Sequence, residues 1–226
     1  MEIMIVMSGI PKAQVRKEHY ILLGLNIIFI VGFGIHYFIK VNYEFLIYVG
    51  VIVTALILII SSISKVSYSL STLIGLSVWG LMHLAGGSVR VNEEILYELM
   101  FFKIPGDLPI LRYDQVVHIL GFGVCTLLCY DLIKSRLKSD TGLTLSVSIV
   151  LVMAGLGIGA VNEILEFIVT LIVPKVGVGG YINSSLDLCA DLVGALLALL
   201  YIKILMARGR KVTGKIIEPR QRQTLP

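Results

Sequence analysis

Charge is scarce in this chain: Asp, Glu, Lys and Arg make up only 15% of its 226 residues, whereas 57% are hydrophobic. With a mean hydropathy of +0.92, there is more apolar surface than a soluble domain can bury, which excludes an ordinary soluble enzyme and points to a membrane protein. Cysteine is sparse too. All three cysteines, Cys125, Cys129 and Cys189, fall inside hydrophobic runs, where Cys packs as a small apolar residue, so neither a disulfide framework nor a zinc spacing is indicated. The N-terminus lacks the basic region, short apolar core and small-residue cleavage site of a secretory signal, so nothing is expected to be removed before folding. There is no His-Glu-x-x-His motif. No basic domain stands outside the apolar runs either, which argues against a nucleic-acid partner and leaves membrane lipids as the expected surroundings.

What is present is a series of apolar runs, read as an all-α, polytopic integral membrane helical bundle with about six transmembrane helices. A basic arm over 1–19 precedes a transmembrane domain over 20–206, and a basic tail occupies 207–226. Spans are expected at about 20–39, 45–63, 70–84, 114–133, 143–173 and 185–206, near the twenty residues that cross the hydrocarbon core. The fifth is longer than a bilayer needs, and Gly155, Gly157 and Gly159 mark a kink or a close helix contact. The longest polar connection, 88–113, is acidic. Its apolar stretch from Ile95 to Ile104 is too short to span and ends at Pro105-Gly106, which predicts an interfacial or re-entrant helix.

Orientation follows from the excess of Lys and Arg in cytoplasmic connections. With both termini inside, the arm, the second and fourth connections, Lys203 and the tail collect fourteen of the 19 basic residues. Only Lys40, Arg90, Lys103, Arg112 and Lys175 fall on the other side. The expected topology is N-in/C-in.

This topology sorts the polar residues by depth. His83 closes the third run, Asp114 and His118 open the fourth, Glu163 and Glu166 lie near the outer end of the fifth, and Asp187 and Asp191 begin the sixth. All seven fall in outer halves, with Arg112 at the same level, His36 as a candidate eighth, and nothing comparable expected in the cytoplasmic halves. Asp114, His118 and Gly121 share one helical face at i, i+4, i+7, as do Asp187, Asp191 and Gly194. An Asp at a helix centre costs about 2.5–3.5 kcal/mol on insertion scales, a cost an anchor would not incur repeatedly. A water-accessible pocket opening outward between the third to sixth helices is the functional expectation. Structural roles compete with it: Asp114 as an N-cap paired with Arg112, Asp187 as a cap of the sixth helix, Glu163 and Glu166 as solvent-exposed acids, and His83 as an interfacial histidine.

Arg112-Tyr113-Asp114 through His118, the segment Asn162-Glu163-Ile164-Leu165-Glu166, and Asp187-x-x-x-Asp191-x-x-Gly194 resemble, in order and spacing, the YjdF-like family of prokaryotic inner-membrane proteins. More distantly they resemble VanZ-like proteins, although Asp191 stands where that pattern has an Asn. The resemblance covers roughly Leu81 to Tyr201 and implies a location in the plasma (inner) membrane. The VanZ-like side implies an outward-facing role at the envelope, where such proteins are associated with glycopeptide resistance.

Three function classes remain. The pocket is enzymatic, with Asp114, His118, Glu163, Glu166, Asp187 and Asp191 as the catalytic set, Arg112 and His83 as substrate contacts, and a divalent cation as candidate cofactor held by His118, His83, Glu166 and Asp191. Alternatively the acids form a proton or cation relay of a transporter, which requires polar groups to continue through the cytoplasmic half. In the third class the protein binds a lipid-linked or envelope ligand without catalysis. Oligomeric state is open, because a Gly155/Gly159 face serves internal packing as well as dimerisation.

Overall fold

The computed structural model describes residues 15–102, 110–137, 143–174, 176–177 and 179–221, with side chains through Arg208. Lys12, the segment 103–109 with Pro105-Gly106, Lys138, Lys175 and the end of the tail lie outside the described residues. Six helices follow one another: α1 Lys17–Ile39, α2 Tyr43–Ser62, α3 Leu70–Gly86, α4 Tyr113–Ile133, α5 Leu145–Ile172 and α6 Tyr181–Gln221. Five are long and apolar enough to cross a membrane, while α3, with 17 residues, is shorter. The chain is thus a multi-pass helical membrane protein. Its outer surface is apolar, with Ile28 on α1, Ile57 on α2 and Phe167 and Leu171 on α5 all exposed, as expected of helices whose solvent is hydrocarbon.

Local chemistry sets the helix ends. Asn42, Ser69 and Thr144 are N-caps whose side chains accept from Phe45 N, Thr72 N and Val147 N, satisfying donors that the first turn leaves free. At the start of α4 the backbone N–H of Arg112 donates to Gln115 Oε1 at 2.7 Å. Helix α5 stops where Pro174 forces Val173 into extended backbone.

The connection before α4 differs from the sequence expectation. Instead of an interfacial helix, Arg90–Val91 (β1) and Glu94–Ile95 (β2) form an antiparallel hairpin, followed by a single 3₁₀ turn at Leu96–Glu98. Asn92 and Glu93 both have positive φ, as a two-residue type I′ hairpin requires. The strand then pairs back on the helix entrance through Met100 and Arg112, with Tyr113 N donating to Leu99 O at 2.9 Å.

Helix α4 is the hub, packed against α3, α5 and α6, while α1 packs on α2 and α3. At the crossing of α4 and α6, Gly123 and Gly194 bring the backbones together: a methyl group on Gly194 would collide with Ile119 O. Gly155 and Gly159 of α5 lie against Thr126 and Asp191, so this face packs internally, while Gly157 has open space around it. Buried Ile30, Tyr37, Tyr48, Leu84 and Val169 join α1, α2, α3 and α5.

One acid corrects the expectation that the other half of the bundle carries nothing comparable. Asp131, at the far end of α4, is 4% exposed. Its Oδ2 accepts from Ser69 N at 2.8 Å and Thr72 Oγ1 at 2.7 Å, and its Oδ1 meets Lys134 Nζ at 2.7 Å. It fastens the start of α3 to α4.

Candidate functional site

His118 is the centre. It stands one turn inside α4, is 4% exposed, and its Nδ1 lies 2.8 Å from Asp191 Oδ1 on α6. An ionised carboxylate can only accept, so this contact puts a proton on Nδ1, and in the neutral imidazole Nε2 then carries the free lone pair. Nε2 faces two acids at equal distance, Asp114 Oδ1 and Glu163 Oε1, each 3.8 Å away. That gap is too long for a hydrogen bond.

Neutral amides hold the surrounding carboxylates. Gln115 Nε2 donates to Asp187 Oδ1 at 2.7 Å, and Asn183 Nδ2 bridges Asp187 Oδ2 at 2.5 Å and Asp114 Oδ2 at 3.0 Å. On α5, Asn162 Nδ2 donates to Glu166 Oε1 at 2.8 Å. Helix periodicity accounts for these pairs: Asn162/Glu166 and Asn183/Asp187 are i, i+4 neighbours, and Gln115 follows Asp114 on the turn facing α6. Asp187 and Asp191 are both fully buried. Glu163 differs from the rest. Among the described residues neither of its carboxylate oxygens has a hydrogen-bond partner, nor does Asp191 Oδ2, although all three atoms are buried.

A cavity of about 620 Å³ adjoins this group. Asp114, Glu166 and Asn183 contribute to its wall on the site side, Glu44, Phe45 and Tyr48 come from α2, and His83, Tyr97, Glu98 and Arg112 complete it. Glu44 is buried and accepts from Gly177 N at 2.8 Å, tying the α5–α6 loop to α2. Tyr48 OH is buried without a hydrogen-bond partner. His83 sits among Phe45, Tyr48, Trp79 and Tyr97, with ring centroids 5.3–6.3 Å away. Its Nδ1 lies 2.6 Å from Tyr97 OH. Burial, reinforced by the negative charge of Asp114 and Glu166, holds the Tyr97 phenol well above its ordinary pKa, so it stays protonated and the imidazole tautomer decides which of the two groups donates.

The structure therefore gathers Asp114, His118, Glu163, Glu166, Asp187 and Asp191 from α4, α5 and α6 into one group, with His83 and Arg112 lining the same cavity as Asp114 and Glu166. His36 is on the exposed face of α1 and outside the cavity wall. The expected Arg112–Asp114 ion pair is absent among the described residues, and Asp114 takes Asn183 instead; Arg112, not Asp114, is the N-cap residue of α4. Two sets of donor atoms lie within 4.8 Å of one another, Asp114–His118–Asp187 and His118–Glu163–Glu166. His83 and Asp191, in the ligand set expected from sequence, belong to neither. Sequence reasoning missed Glu44, Tyr48, Gln115 and Asn183. Glu44 and Tyr48 share a face at i, i+4, which was the available signal for the first pair. The amides carry no charge and could be found only as neighbours of acids at helical spacing.

No curated protein and no solved structure matched the chain in comparisons with known proteins. One family model did match, over residues 19–208, a range that takes in all six helices' apolar portions and every residue of the site. The chain thus belongs to the membrane-protein family described as "Predicted membrane protein (DUF2238)".

Proposed function

We propose that this is a prokaryotic inner-membrane protein, oriented N-in/C-in, whose outward-opening cavity binds and acts on a lipid-linked or cell-envelope ligand. The observation that carries the reading is a roomy cavity with two of the site's acids, Asp114 and Glu166, in its wall and His118 directly behind them. Arg112 takes the anionic part of the ligand, since its buried Nε has no protein partner among the described residues. His83 and Tyr97 offer a fixed polar contact on the opposite wall. His118, oriented by Asp191, and the surrounding carboxylates supply the acid and base groups. The excess of basic residues in the connections and tail assigned to the inside supports the orientation, and the VanZ-like resemblance of the α4, α5 and α6 motifs agrees with a role at the envelope.

Transport is the weaker alternative. A relay needs free polar groups beyond the site, yet Asp131, the buried acid of the other end, already has four donors. The test is to extract the protein from bacterial membranes with mild detergent and measure its bound lipids by native mass spectrometry. Wild type should retain a phosphate-bearing lipid species that Arg112→Ala loses by tenfold or more. Identical lipids in equal amounts on both proteins would overturn the reading.

A further inference from the structure

We infer a divalent-cation site in which His118 Nε2, Glu163 and Glu166 are the protein ligands and the remaining coordination positions face the cavity. The inference deepens the reading of the recess as a ligand site and rests on it for the identity of whatever completes the coordination; the protein ligands follow from geometry alone.

The first support is charge. Asp114, Glu163, Glu166, Asp187 and Asp191 converge on a single imidazole, and among the described residues none of the five pairs with Lys or Arg. The second is a group left without an occupation. Glu163 is 9% exposed at its side chain, neither oxygen has a hydrogen-bond partner, and Oε1 is aimed at His118 Nε2 from 3.8 Å. A buried carboxylate so placed has lost water without gaining a well-formed hydrogen bond among the described residues, an arrangement that needs an explanation such as an ion.

Geometry supplies the third. Ligands at about 2.0–2.2 Å from a shared ion stand on the order of 3–3.6 Å apart. Nε2 and Glu163 Oε1 are slightly beyond that and too far for a hydrogen bond, so a small side-chain shift closes them on a cation. Glu163 and Glu166 lie i, i+3 on α5, which presents both carboxylates to one point. The neighbouring set, Asp114 with Asp187, is less suited because Asn183 and Gln115 already occupy three of its four oxygens.

The surroundings also match what a metal-binding histidine requires. Asp191 accepts from Nδ1–H, fixing the tautomer and aiming Nε2, and Asn162 holds Glu166 through Oε1. Because Glu166 reaches the cavity wall, the ion has an entry path and open positions. One imidazole with two carboxylates suits a first-row ion such as Mn²⁺ or Zn²⁺ better than Ca²⁺, which prefers oxygen alone.

The test uses full-length protein in nanodiscs, stripped with EDTA and titrated with Mn²⁺ or Zn²⁺ by calorimetry, with the Mn²⁺ electron paramagnetic resonance spectrum as second readout. Wild type should bind one ion. His118→Ala and Glu163→Gln should weaken binding at least a hundredfold, Asp191→Asn ten- to a hundredfold, and Gly157→Ala, with open space around it, less than threefold. Glu163→Gln is nearly isosteric, and an unchanged elution volume and helical circular dichroism show that it folds. No binding to stripped wild type, or wild-type affinity in folded Glu163→Gln, overturns the site. Lipid retention lost in Arg112→Ala while no ion binds would sink the metal centre and spare the ligand cavity; the converse would spare the centre.

Discussion

Two buried acids on this chain show opposite economies. Asp131 receives three hydroxyl or amide donors from the start of α3 and an ion pair from Lys134, so replacing it by Ala strands those groups. Asp131→Ala should destabilise the protein by about 2–3 kcal/mol, measured as a lower midpoint in thermal unfolding of the detergent-solubilised protein. Glu163 has no well-formed hydrogen bond among the described residues, and its charge is a net cost to the metal-free fold. Glu163→Gln should therefore raise the unfolding midpoint of EDTA-treated protein by a few degrees, equivalent to roughly 1 kcal/mol. A midpoint lowered by that substitution would mean the carboxylate serves the fold. Charged residues at apolar depth stand out in a sequence, so His118, Glu163, Asp187 and Asp191 were legible there as candidates. Whether each was satisfied was not, because the donors that decide it, Gln115 and Asn183, are unremarkable in the sequence, and the bonds Gln115–Asp187 and Asn183–Asp114 form only across the α4–α6 contact.

At the scale of elements, glycines control how closely the site's helices approach. A methyl group at Gly159 would collide with the Asp191 carboxylate that orients His118. Gly159→Ala should displace Asp191 and weaken Mn²⁺ binding by tenfold or more, while Gly157→Ala, with open space around it, should leave both binding and unfolding unchanged. At Gly194 the obstacle is the backbone carbonyl of Ile119, which cannot rotate aside. Gly194→Ala should separate α4 from α6 and cost about 1–3 kcal/mol, read as a lower unfolding midpoint. The helices themselves were legible because twenty-residue apolar runs have few other fates. The hairpin at Arg90–Ile95 was not. Its turn residues are Asn92-Glu93 where a strong type I′ signal would be Asn-Gly, and the apolar run after it imitates a short helix. Helix α2's share in the cavity was equally hidden, since Glu44 reads as a turn residue until the fold buries it against Gly177.

For the molecule as a whole, the function proposed depends on which side of the membrane the cavity opens. The hairpin and the cavity lie at the Asp114 end of α4, and Asp131 with the 3₁₀ turn Lys134–Arg136 lies at the other end. The two ends can therefore be addressed separately. In a background with the three native cysteines replaced by Ala, single cysteines at Glu93 and Ser135, both exposed, report one end each. Intact cells treated with a membrane-impermeant maleimide should label Glu93→Cys at once and Ser135→Cys only after permeabilisation. If all six helices cross, as the proposed topology has it, both termini fall on the Ser135 side, where the basic arm and tail are expected. The reverse labelling pattern would turn the acids, His118 and the cavity toward the cytoplasm. The ligand would then have to come from inside the cell, and an envelope role would be excluded, whereas the geometry around His118 and Glu163, and the ion it is suited to hold, would stand as before.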